Sequence, residues 1–501
     1  MINARSIQGF AAIVLSLFLA IWLGMAIVTD QLETLFQGAG TILFLTALFL
    51  GRRVWLLFIL LVSINVVLYR WFGTVEIGQL VFIGFSLVLF LMRKLHFRIG
   101  FGELEVWALL VIACVVQTYM RHPVGMNILG SGSVGGRPYF AIALWVVSAA
   151  ILSILIVPPK ELKWALGLSI IGSFLGIPLQ MARYGNMSSM DGGSTDLGGS
   201  RIASFSGIGI ALARWLSCRM SPLRASIHPL WALVLLASLA FAAASGYRNA
   251  VASVGFIYII AIYYHGGFMS FIVAVFMGAL FLSVLAVINL NYPLPGNLQR
   301  ALAPLPGTWE ERYIKGGEVS TEWRVEMWKE ALFTDRWIQD KVLGDGIGVS
   351  AAQLDRQINL RSGGGVTAGG LTEQQVTMLE LGSYHSGPVH TVRMVGYVGL
   401  IVLLLAMSRL AVHAHRQIMR CKGTEWAPVA LFFGIPLISL PFFFTFVFGE
   451  YHTAVAQTLF GMAMIRIIER NLPLPEWRRS VPQPYVLQPR AHRESAGLAK
   501  R

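Results

Sequence analysis

Long apolar blocks with almost no charge constrain this chain more than any other feature. Residues 10–28, 54–68, 271–290 and 400–407 are continuous apolar runs, not alternations. A water-facing surface does not tolerate such runs, whereas a helix that crosses a bilayer needs about 20 mostly apolar residues. The chain is 56% hydrophobic and only 13% charged, against roughly 25% charged residues in soluble domains. The implied fold class is an all-α polytopic membrane protein. A soluble enzyme and a DNA-binding domain are excluded. So is an outer-membrane barrel, which would show short alternating strands.

The net charge of +14 is therefore no nucleic-acid footprint, because Lys and Arg accumulate on the cytoplasmic side of membrane proteins. The three cysteines, Cys114, Cys218 and Cys421, share no metal-ligand spacing, and two stand beside positive charge, which points to the reducing side. No small-x-small cleavage site follows the first apolar run, so it reads as an uncleaved first span.

About fourteen spans of roughly 20 residues can be placed. They centre on 10–28, 34–50, 54–69, 76–92, 104–120, 139–157, 162–182, 203–218, 229–245, 248–264, 268–290, 388–411, 427–448 and 451–468. Twelve results if two of these are re-entrant or interfacial. One set of alternate loops carries Arg52/Arg53, Arg93/Lys94/Arg98, Lys160/Lys163, Arg219/Arg224 and Arg416/Arg420/Lys422, and the tail adds Arg470, Arg478 and Arg479. That asymmetry puts both termini in the cytoplasm and residues 291–387 outside. The chain thus divides into a transmembrane bundle at 1–290 (about eleven spans), an external loop at 291–387, about three further spans at 388–470, and a basic, Pro-rich, disordered tail at 471–501.

The external loop holds nine Lys/Arg against twelve Asp/Glu, so it is mildly acidic. Residues 291–307 are Pro-rich and read as lying along the surface. From 321 to 334 the residues Trp323, Met327, Trp328, Ala331 and Leu332 share one helical face, with Ser320 or Thr321 as its cap. Residues 343–348 form a glycine turn. No internal repeat is visible, so the inverted-repeat signature of many transporters is missing.

Seven arginines lie on the side that should be poor in them: Arg121, Arg137, Arg183, Arg201, Arg248, Arg324 and Arg393. Charge near the bilayer is costly enough to indicate a function. As a set they point to an anion site, because guanidinium groups bind phosphate oxygens in bidentate fashion. Taken singly, each can instead contact headgroups, snorkel or pair with an external acid. Arg248 stands in the tight connection Ser245-Gly246-Tyr247-Arg248 between two apolar runs. Arg201 follows a glycine-rich loop, and Arg137 follows Gly135-Gly136. Mid-span charge is nearly absent, with Arg214 close to the cytoplasmic end of its helix.

The segment Ser383-Tyr384-His385-Ser386-Gly387-Pro388-Val389-His390 lies where the external loop re-enters the membrane. Histidine is well suited to accept a proton near neutral pH. Pro388 separates the pair, leaving His385 in the loop and His390 on the helix, which makes a two-His metal site a poor fit. Either histidine can equally be a polar helix cap. Glu450-Tyr451-His452, between the last two spans, reads as a polar turn that can also supply an acid or base. No Asp-x-Asp pair, His-Glu-x-x-His or phosphate-loop motif occurs.

These positions together resemble the O-antigen ligase and O-antigen polymerase superfamily of bacterial membrane glycosyltransferases. Ser245-Gly-x-Arg248 is similar to the family's Ser-x-Ser-Arg-Gly element, with Asn249 in place of the final Gly. Arg324 through Trp328 and Ala331, followed by Gly344-x-Gly346-x-Gly348, is similar to its Arg-x-x-x-Trp-x-x-Ala and glycine cluster. His385 and the later Gly396-Tyr-Val-Gly399 match its loop-end His-Asn and Gly-x-x-Gly, with Ser386 in place of Asn. The departure at Ser386 leaves His390 as a rival base.

The resemblance implies an enzyme of the bacterial inner membrane that needs no cofactor or metal. Its donor would be a glycan on undecaprenyl pyrophosphate, transferred with inversion to an acceptor hydroxyl on the periplasmic face. It implies His385, Arg248 and Arg324 as catalytic residues. Arg137, Arg201, His390 and Arg393 would bind the pyrophosphate or glycan. A polymerase that takes a second lipid-linked glycan as acceptor is the alternative, and a transporter of anionic glycolipids is a further one.

Overall fold

Apolar segments must satisfy their own backbone N–H and C=O groups in a bilayer, and a helix does so within a single segment. The structure, a computed structural model, describes residues 45–69, 72–95, 97–124, 135–184, 203–294, 296–302, 308–348, 378–379, 382 and 384–473. In chain order the helices are α1 (Val54–Ile64), α2 (Thr74–Leu91), α3 (Glu103–Arg121), α4 (Arg137–Ile154), α5 (Pro159–Tyr184), α6 (Ala203–Arg219) and the short α7 (Pro222–Ala225). There follow α8 (Pro229–Ala244), α9 (Arg248–Asn291), α10 (Gly296–Leu302), α11 (Glu311–Phe333), α12 (Gly387–Cys421), α13 (Ala427–Phe442) and α14 (Tyr451–Asn471). A π turn, Phe443–Val447, extends α13. Two short antiparallel strands, β1 (Val67–Tyr69) and β2 (Phe72–Gly73), join α1 to α2.

Among the described residues, eight helices are long and apolar enough to cross a membrane. The chain is a multi-pass helical membrane protein. The expected span 10–28, most of 34–50, and the tail beyond 473 lie outside the described residues. The spans expected at 248–264 and 268–290 share α9, which breaks at Gly267 (φ 78°). Beyond that break Phe268, Met269, Phe276 and Leu290 are exposed on the protein surface, as a face clothed by lipid should be.

The amphipathic helix expected at 321–334 differs from its expected bounds. It starts at Glu311, ten residues earlier, so neither Ser320 nor Thr321 caps it. The pair Gly316-Gly317, weak in a helix, does not stop it. The expected apolar face is correct: Met327 and Ala331 are fully buried, and Trp323, Trp328 and Leu332 pack around them with Ile338, Leu379 and Tyr384.

The basic residues assigned to one side gather at one end of the bundle. There Arg53 pairs with Glu161 at 3.0 Å, Lys163 with Glu425 at 2.6 Å and Arg409 with Glu103 at 3.2 Å. Arg466 Nε donates to Glu105 at 2.8 Å, and Arg470 donates to the carbonyls of Arg98 and Gly100, each at 2.9 Å. Between the two ends, α3, α12, α13 and α14 interlock through Val111, Leu403, Met407, Leu437 and Leu459. A second core forms where α1, α5, α9 and α13 meet around Trp55, Phe58, Leu162 and Ala261.

Candidate functional site

At the opposite end, a break in α12 organises the site. Gly396 takes φ 72° inside that helix, and the backbone groups freed by the break are taken up by residues 341–346. The N–H of Tyr397 donates to Lys341 O (2.8 Å) and that of Val398 to Val342 O (3.2 Å). In return Asp345 N–H donates to Arg393 O (2.8 Å) and Gly346 N–H to Met394 O (3.2 Å). The two chains lie so close that a Cβ on Gly396 would stand 2.1 Å from Val342 O, and one on Gly344 would stand 2.6 Å from Gly396 N. Glycine is the residue that allows both the positive φ and the approach.

The glycine turn is thus a clamp, a role that spacing alone did not disclose. Its other side grips the ends of α3 and α4. Ile347 N–H donates to the Tyr139 hydroxyl (3.0 Å), and Arg121 reaches Gly344 O (3.3 Å) and Asp340 (2.6 Å). The Asp340 carboxylate accepts the N–H groups of Leu343 (2.8 Å) and Val342 (2.9 Å). These donors, the Leu343 N–H foremost and Arg121 with them, hold Asp340 below the usual carboxylate range. Arg121 is therefore a brace, the pairing role open to any single outer arginine.

The clamp fixes the start of α12, where the two histidines differ. His385 precedes the helix in the left-handed region (φ 51°) and is half-buried. Its ring lies between Trp323 (centroids 6.3 Å, edge-on) and Phe448 (6.0 Å). His390, in the first turns of α12, is 6% exposed. Its Nδ1 accepts the backbone N–H of Tyr451 at 2.9 Å, and its ring meets that of His452 at 5.4 Å. His452 Nδ1 is buried and has no partner among the described residues. The turn at 450–452 was legible as polar, but its contact with His390 was not. That contact depends on Gly387, where a Cβ would stand 2.3 Å from Phe444 O.

The Trp328 indole N–H donates to Tyr384 O at 2.7 Å, tying α11 to the same turn. Burial pushes the Tyr384 hydroxyl up to about 12. Arg393 is 5% exposed, and no described carboxylate pairs with it. Its charge acts on both Tyr384 and His390.

Arg324 lies on α11 with its guanidinium 5.6 Å from the Trp323 ring centroid, one residue from the indole that faces His385. Arg248 and Arg137 are the first residues of α9 and α4, both half-buried. Arg183 is in the last turn of α5. Arg201 lies outside the described residues. The structure thus holds His385, His390 and Arg393 together at the start of α12, with Trp323, the neighbour of Arg324, packed on His385.

A cleft of about 320 Å³ opens beside His385, and Arg248 is not among its lining residues. Its walls include Asn249, beside Arg248, and Phe448, the residue packed on His385. Among the described residues no three of His, Cys, Asp and Glu are grouped to hold a metal ion. No family model matches the chain, and no curated protein matches it.

Proposed function

We propose that this protein is a membrane glycosyltransferase of the O-antigen ligase type. In this reading the donor is a glycan on undecaprenyl pyrophosphate and the acceptor a hydroxyl on the periplasmic face of the inner membrane. The observation that carries it is a half-buried histidine, His385, packed on Trp323 beside Arg324, at the end of the bundle opposite the Arg53–Glu161 and Arg466–Glu105 pairs. That opposition also supports placing residues 291–387 and the site outside, with the basic end in the cytoplasm.

His385 is the better base of the two histidines, because His390 spends Nδ1 on the Tyr451 N–H and is almost wholly buried. His385 takes the acceptor proton, the acceptor oxygen forms its bond to the anomeric carbon, and the bond to the pyrophosphate oxygen breaks on the opposite face. Arg248 and Arg324 take up the charge growing on the departing pyrophosphate, an effect worth several kcal/mol in comparable sites. Arg393 and Arg137 add positive potential around it, and Arg201 belongs to the same reading. Transfer proceeds without a metal.

The test is transfer by purified protein in EDTA, offering lipid A core and a second donor molecule as acceptors. Transfer that survives EDTA and is lost in the His385→Ala and Arg248→Ala variants supports the reading. Product on lipid A core identifies a ligase, and lengthened glycan still on lipid pyrophosphate identifies a polymerase. Unchanged transfer in the double variant overturns the assignment of the site.

A further inference from the structure

Below the candidate transfer site, the cleft continues into the bundle between α6, α9, α13 and α14. On α9 its lining includes Ser253 and Ile257, about 8 and 14 Å below Arg248 at 1.5 Å per residue. Arg214 of α6 also lines it. This arginine lies close to the helix end in sequence, as expected, yet its side chain is turned into the protein interior. Its Nη2 donates to Phe432 O at 3.3 Å, and its guanidinium lies 4.3 Å over the Phe432 ring. Its Nε is sheltered from solvent and has no acceptor among the described residues. No described carboxylate pairs with it.

A guanidinium carries five N–H donors and no acceptor, and Arg214, with one carbonyl and one ring for partners, lines the cleft. A permanent charge at this depth is expensive unless something neutralises it. Of the remaining polar lining, Asn249, Ser253, Thr453 and Gln457 offer further hydrogen bonds, while the Ser439 hydroxyl donates to Pro436 O at 3.0 Å. Phe443, Phe444 and Leu440 make the rest apolar. A charged donor set on one side and an aromatic wall on the other match an anionic head joined to an apolar chain. The single acid of the lining is Glu450, at the N-cap of α14, and it repels an anion at that end, directing it towards Arg214.

We infer that this cleft is a phosphate-binding site for a membrane amphiphile, with Arg214 as its principal cation. The site is separate from the arginines of the proposed transfer reaction, and its occupancy is measured without transfer, so either reading can fail while the other stands.

The full chain is placed in phosphatidylcholine nanodiscs with or without phosphatidic acid, and lipid retained after extraction is counted by native mass spectrometry. Inorganic phosphate is added as competitor. The wild type retains phosphatidic acid over phosphatidylcholine, and Arg214→Met weakens retention about tenfold or more, the scale of a lost charged hydrogen-bond pair. Ser253→Leu, which fills the cleft and leaves Arg214 in place, also loses retention. It keeps the test valid if Arg214→Met fails to fold. Glu450→Gln, with the repelling charge removed, tightens it. Displacement by inorganic phosphate at matched concentration overturns the amphiphile and makes the cleft a free-anion site, whereas resistance supports a lipid phosphate. Equal retention of both lipids by the wild type with no phosphate effect, or unchanged retention in both Arg214→Met and Ser253→Leu, overturns the inference.

Discussion

At the residue scale, the two histidines differ because one is structurally committed. His385→Gln is expected to lower transfer by about 10²-fold or more while the melting temperature stays unchanged. His390→Leu removes the acceptor of the Tyr451 N–H in a buried position, which costs about 1–3 kcal/mol. It should therefore appear first as a lower thermal midpoint. Equal thermal losses in both variants would show that the division of roles is wrong. Tyr384 provides a pH signature. Its hydroxyl is held neutral up to about 12 in the fold, against about 10 in an unfolded chain. The neutral form is thus favoured by folding, and this stability is complete below about pH 10 and lost as pH rises towards about 12. Tyr384→Phe should flatten that alkaline limb in a fluorescence-monitored pH titration.

At the scale of elements, glycines at two helix breaks have opposite sensitivities. A Cβ on Gly267 meets nothing within 4 Å, whereas one on Gly396 meets Val342 O at 2.1 Å. Gly267→Ala should cost only the left-handed conformation, about 1–2 kcal/mol. Gly396→Ala adds a backbone clash and must release the clamp at 341–346. The expected result is selective proteolysis of residues 340–348 and loss of transfer in Gly396→Ala alone. Similar protease patterns in both variants would remove the clamp's role. Helix α11 shows how far periodicity carries. Trp323, Met327, Trp328, Ala331 and Leu332 could be read as one face, because a 3.6-residue repeat is visible without a partner. Its start at Glu311 could not, since the cap signal at Ser320 or Thr321 lies inside the helix, which also passes through Gly316-Gly317.

At the scale of the molecule, the two ends have different electrostatics. At one end the basic residues are consumed by ion pairs and carbonyls, with Arg466 bound to Glu105 and Glu469 (2.7 Å) and Arg470 to the loop after α2 and the last turn of α4. Arg466→Ala leaves the Glu105 carboxylate, itself only 20% exposed, with Arg470 at 3.6 Å and the Gly102 N–H at 3.0 Å. Loss of one partner from such a pair is worth about 3 kcal/mol when buried, and partial exposure makes it less. A thermal midpoint lowered by several degrees, with residual transfer per folded molecule unchanged, is the expected outcome. At the other end Arg393 has no described carboxylate partner, which leaves its potential available to a ligand.

The sequence by itself determined that this is a helical, multi-pass membrane protein, which loops are rich in positive charge, and which few polar side chains occur in and around residues 291–387. Those conclusions follow from composition and local periodicity, because the cost of placing polar groups in lipid acts on each segment separately. The tertiary structure alone decided which of these side chains meet. His390 finds Tyr451 N–H across 61 residues, Arg121 finds Asp340 across 219, and Arg214 finds Phe432 O across 218. No local pattern encodes such partners. The pairings depend on how helices of similar apolar character pack, and packing distinguishes them only through close approaches such as Gly387 on Phe444 and Gly344 on Gly396.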